Sequence, residues 1–175
     1  MGEKKENMVS YAMRTGFILG VATSVFNIAS WIVPFLFMQT LFSLLTFFSF
    51  FFCIIHYTKL YDQHILNGKI TYFKALFLGW YTVFFGAMIF AVAIYFFFKF
   101  CPDIFQRLME EVVAFFKVAG ESSKENEEQA RIIIRQIGAI QPKDLTFSVL
   151  WGYSCMGFVA VIFTSVLFRK KEVRQ

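Results

Sequence analysis

From Thr15 to Thr58 the chain runs 44 residues without one Asp, Glu, Lys or Arg, and two more charge-free runs of 24 residues each cover Ala75 to Phe98 and Leu145 to Phe168. No other feature constrains the fold as strongly. A soluble surface needs charge scattered along it, and here the charges are excluded from long windows instead. A helix rises about 1.5 Å per residue, so 24 residues reach roughly 36 Å, enough for a hydrocarbon core about 30 Å thick. Stretches this long are at ease in lipid as helices, whose backbone groups satisfy one another. The first run is nearly twice one span and must fold back on itself. Pro34, followed by the polar Gln39 and Thr40, marks the break.

The expected fold is all-α: a polytopic membrane protein with four transmembrane helices at about 9–33, 41–57, 75–98 and 145–168, in one membrane domain over 1–175. Composition agrees: 58% of residues are hydrophobic, against about 45–50% in ordinary soluble domains. Met1 to Arg14 lacks the apolar core and cleavage site of a signal peptide, so the first span is expected to act as its own insertion signal. Cys53, Cys101 and Cys155 are an odd number at different expected depths, which supports no disulfide framework.

Lysine and arginine set the threading, because basic residues near helix ends stay on the cytoplasmic side. The N-terminal segment carries Lys4, Lys5 and Arg14; Lys59, Lys69 and Lys74 lie between the second and third spans; Arg169, Lys170, Lys171 and Arg174 close the chain. The first connection is uncharged, and Lys99 to Asp144 holds seven basic residues against eight acidic ones. Both termini are therefore expected in the cytoplasm. The net charge of +5, split among short juxtamembrane segments, is a topology signal and not a footprint for nucleic acid.

Small residues recur every fourth position in the first span, at Ala12, Gly16, Gly20 and Ser24, a stripe that lets another helix backbone come close. Gly79 and Gly152 are expected to do the same in the third and fourth spans, and the mid-span amide of Asn27 is expected to bond across to another helix. The alternative to packing inside the bundle is a seam for self-association or another membrane protein.

The segment from 102 to 141 is too long for a structureless loop and is expected to form an extracytoplasmic helical hairpin between the third and fourth spans. Pro102 opens its first helix, where Ile104, Phe105, Leu108, Met109, Val112, Val113 and Phe116 form one stripe. Ser122 and Glu125 fit a capping box for the second, whose Ala130, Ile133, Ile134 and Ile137 share a face expected to pack on the bundle or a partner.

Two stretches carry a family resemblance. Tyr11 to Gly20, reading YAMRTGFILG, and Asn67 to Leu76, reading NGKITYFKAL, resemble signatures of the DUF4199 family, and Tyr95 with Pro102 and Asp103 is similar to its third-span exit. The resemblance covers nearly the whole chain. It implies a small four-span protein of a bacterial inner (cytoplasmic) membrane, with no catalytic residue to carry over. A membrane glycosyltransferase of the polyprenyl-phosphate type is the partner it implies. The richness in phenylalanine and the short first connection depart from the family pattern.

No Asp, Glu, Lys or Arg lies within the apolar runs of the spans to mark a proton relay or ion path, and no nucleophile with a base or glycine-rich phosphate loop is readable. Enzyme activity and cofactors are not expected. Cys53, His56 and His64 do not make a metal spacing, so no metal is expected. Lys59, Lys69 and Lys74 with Tyr57, Tyr61 and Tyr72, and the terminal Arg169, Lys170 and Lys171, form a set that could contact anionic lipid head groups. Ordinary interfacial anchoring explains the same residues. The function expected is a non-enzymatic accessory or scaffold subunit in the bilayer; the alternative is a small lipid-carrier flippase or transporter.

Overall fold

The computed structural model describes residues 7–33, 36–66, 68–120 and 124–168. Among the described residues six helices follow one another: α1 (Met8–Ile32), α2 (Leu36–His64), α3 (Tyr72–Phe100), α4 (Pro102–Gly120), α5 (Lys124–Gly138) and α6 (Pro142–Val166). No strand occurs among the described residues. Four of these helices, α1, α2, α3 and α6, are long and apolar enough to cross a membrane, and the chain is an all-helical membrane protein.

The helices outrun the charge-free windows. α2 starts at Leu36, so Gln39 and Thr40, expected in the turn, are helical; Pro34 lies outside the described residues. At its other end α2 continues past Lys59 and Asp62 to His64, because a helix can leave lipid without ending. Proline sets two of the other boundaries. Pro102 follows the non-helical Cys101 and opens α4, and Pro142 opens α6, each at a first-turn position that needs no N–H donor. Gln141 and Asp144 form a capping box there, with the Asp144 carboxylate accepting the Gln141 N–H at 3.0 Å. The Ser122–Glu125 box expected at α5 lies outside the described residues.

α3 is the axis of the bundle. α1 and α6 pack along it, and α2 packs mainly on α1. At one end Tyr11 and Ala12 of α1, Tyr61 of α2, and Ala75 and Leu78 of α3 form a buried cluster, with Phe168 after α6 against it. At the opposite end Phe90, Ile94 and Phe98 of α3 are covered by Trp31, Phe105, Leu145 and Val149. The start of α1 and the end of α6 therefore share one end, called here the terminal end.

α4 and α5 pack on each other. Ile137 of α5 is buried, and Ile133 and Ile134 are half-buried; the side chain of Ala130 lies outside the described residues. α5 has its neighbour within the chain in α4, and Ile137 is the buried member of the isoleucine face expected to meet the bundle or a partner.

Candidate functional site

Two groups of residues form candidate sites: the helix seam around α3 and the mouth at the terminal end. The seam begins with α1. A Cβ placed on Gly16 would lie 2.7 Å from the Thr82 carbonyl oxygen, and one on Gly20 would lie 2.6 Å from the Gly86 carbonyl oxygen. Only hydrogen fits in those gaps. Ala12 and Ser24 are buried on the same stripe, and the Ser24 hydroxyl donates back to the Gly20 carbonyl at 2.6 Å. Beside the glycines, Thr15 and Thr82 hydroxyls meet at 3.2 Å, joining α1 to α3 within the apolar interior.

Asn27 lies farther along α1. Its Nδ2 donates to the Thr23 carbonyl at 2.9 Å and reaches Thr46 Oγ1 of α2 at 3.4 Å, while the Tyr153 phenol of α6 lies beside it. Three helices thus converge on one neutral amide. Neutral groups can be satisfied in lipid by carbonyls and hydroxyls at modest loss, where a charge would demand a partner ion.

On the other side of α3, Gly79 is buried against Val161 of α6. Gly152, expected in this seam, faces outward with nothing near a would-be Cβ. Gly157 takes the role, pressed onto Val83 with Phe50 close by. The two glycines differ in helical phase: Gly157 shares a face with Ser154, Val161 and Thr164, whereas Gly152 lies on the face with Met156. Gly86, opposite Gly20, also went unread in the sequence. Gly157 could have been found from its small neighbours at three- and four-residue spacing, Ser154, Ala160 and Thr164.

The mouth is assembled around the turn from α2 to α3. The Tyr11 hydroxyl donates to the Tyr57 carbonyl at 3.0 Å, and the Tyr11 and Tyr61 rings lie 4.9 Å apart. The Arg14 guanidinium sits 5.5 Å from the Tyr11 ring centroid, within cation–π range. Asp62 closes the turn twice: its side chain accepts the Ile70 N–H and its carbonyl accepts the Gly68 N–H, each at 2.8 Å. Gly68 has φ 75°, the left-handed backbone that glycine adopts without penalty. Ile70 is then buried as an anchor.

Around this fixed turn Lys59, Lys69 and Lys74 are exposed and Tyr57 and Tyr72 half-buried. Tyr61 is buried under Tyr11, so its ring belongs to the packing and not to a head-group surface. Arg169, Lys170 and Lys171 lie outside the described residues. His56 stacks on Phe52 with ring centroids 5.3 Å apart, and His64 is exposed. Cys53, Cys101 and Cys155 are free thiols. Among the described residues no three His, Cys, Asp or Glu side chains gather as a metal site.

A family model described as "Protein of unknown function (DUF4199)" matches residues 14–170. No curated protein and no solved structure matches the chain.

Proposed function

The chain belongs to the DUF4199 family, whose description assigns no activity, and we propose that it is a non-enzymatic accessory subunit that binds and positions a larger membrane protein. In this reading it resides in a bacterial inner (cytoplasmic) membrane with both termini in the cytoplasm, and α4 and α5 form a helical hairpin on the outer side. The excess of basic residues at the terminal end supports that threading. The carrying observation is on α4. Phe115 and Val118 are 69% and 71% exposed, with Val112 in line one turn earlier, and α5 leaves this ridge uncovered. Glu111, one turn before Phe115 and paired with Arg107 at 3.8 Å, borders it, as polar residues rim an apolar contact at a protein interface. The family resemblance adds an enzyme class for the partner, a polyprenyl-phosphate glycosyltransferase.

Gentle detergent extraction from native cells, affinity capture and mass spectrometry test the reading. A membrane protein recovered in fixed ratio, and lost with Phe115→Glu and Val118→Glu, is the expected result. No such partner from native membranes, or a partner indifferent to both changes, overturns it.

The exposed Lys59, Lys69 and Lys74 favour a second reading at the terminal mouth: contact with anionic lipid head groups, as needed by a lipid-carrier flippase. Liposomes reconstituted with the purified chain and a fluorescent phospholipid decide that reading. Scrambling no faster than in empty vesicles removes it.

A further inference from the structure

At the end remote from the termini, a groove of about 360 Å³ runs between α3 and α6, walled by Met88, Val92 and Phe96 on one side and Phe147 and Leu150 on the other, with Lys143 beside them. Its lining is overwhelmingly apolar. Between Met88 and Phe96 the helix rises about 12 Å, close to the half-thickness of a hydrocarbon core about 30 Å across, which is one leaflet. The groove is shallow and open along one side, and its apolar walls with a lysine at one end suit a hydrocarbon chain lying along it beneath a charged head group.

Charge decides the head group. Lys143 lies in the first turn of α6, where the groove reaches the end of the bundle. Lys99 follows Tyr95 and Phe96 by four and three residues, and so continues the α3 wall one turn farther. Both side chains are exposed, and neither is ion-paired among the described residues. Of the nearby acids, Asp144 already accepts the Gln141 N–H in the α6 cap, and Asp103 stands in the first turn of α4. We propose that this groove holds one acyl chain of an anionic phospholipid, with its phosphate between Lys99 and Lys143. The site lies at the opposite end of the bundle from the lysines of the α2–α3 turn and does not depend on the reading of α4 as a docking ridge.

Native mass spectrometry of the full chain, released from micelles doped with phosphatidylglycerol or with phosphatidylcholine of identical acyl chains, tests it. Phosphatidylglycerol is expected to be retained as a single bound lipid in clear preference. Lys99→Gln and Lys143→Gln should each lower its retention about fivefold, the effect of one basic residue at an anionic lipid surface. Val92→Trp, at an exposed position that leaves the bundle core untouched, should fill the trough and lower retention of both lipids. Equal retention of the two lipids overturns the proposal. So does loss on Lys59→Gln and Lys69→Gln but not on the Lys99 and Lys143 changes, or a dimer in place of a lipid adduct.

Discussion

α1 and α2 are neighbours in the chain and each has an apolar segment of 25 residues, yet they join the bundle in opposite ways. In the most apolar window of α1, 39% of residues are buried; in that of α2, 12% are. α2 is the greasier of the two by inspection, with Phe47, Phe48 and Phe52 all exposed. α1 meets α3 through Gly16 and Gly20, backbone against backbone. The difference teaches that in lipid, hydrophobicity does not order helices, because a ring gains nothing by leaving acyl chains for protein. Close approach and hydrogen bonds decide, and small residues provide the first.

The sharpest way to break that contrast is to fill the α1 seam. Gly20→Leu drives a branched side chain into the Gly86 carbonyl and Ile89, and a loss of about 3 kcal/mol or more is expected, seen as aggregation or early melting in detergent. An unchanged melting profile would mean that α1 is not held against α3 as described. Next comes a matched pair on α6. Gly157→Leu should lose about 2–3 kcal/mol, since Val83 and Phe50 occupy the space, while Gly152→Leu should stay within about 0.5 kcal/mol. Equal effects from the two would place α6 in a different rotation.

Much of this architecture could be read from the sequence, for stated reasons. Charge exclusion over 24 or more residues locates membrane-length helices because the solvent is uniform, and Pro102 and Pro142 fix boundaries through a missing N–H. The extent of α2 was not readable in the same way. Lys59 and Asp62 end the apolar window without ending the helix, which Tyr61 continues by packing on Tyr11. The rotation of α6 also escaped. Gly152 and Gly157 are both small; the spacing of Ser154, Ala160 and Thr164 favours the face of Gly157, and the complementary Val83 fixes it. The mouth was legible as a set of residue types only: Asp62, whose two hydrogen bonds hold the turn together, carries no signal in a list of basic and aromatic residues.

At the terminal mouth the expected effects are smaller. Gly68→Ala forces an alanine to φ 75° and should lose about 1–2 kcal/mol; Tyr11→Phe removes the hydrogen bond to the Tyr57 carbonyl and should lose about 1 kcal/mol. Thermal melts in one detergent compare them. If Tyr11→Phe costs more than Gly68→Ala, the α1–α2 contact and not the turn geometry governs this end.

The smallest effect belongs to α2, and it separates the isolated chain from the assembled one. Phe48 is 65% exposed, and among the described residues its ring contact is with Phe47. In detergent, Phe48→Leu should therefore shift stability by no more than about 0.5 kcal/mol, because one lipid-facing apolar side chain replaces another. The same change in native membranes is a different measurement. If the rings of α2 face only lipid, recovery of any co-purifying membrane protein stays as it was with Phe48 in place, while the α4 changes abolish it. If recovery falls with Phe48→Leu at unchanged thermal stability, the little-buried face of α2 is itself a protein contact, and the contrast with α1 is one between two kinds of seam, one filled within this chain and the other by a partner.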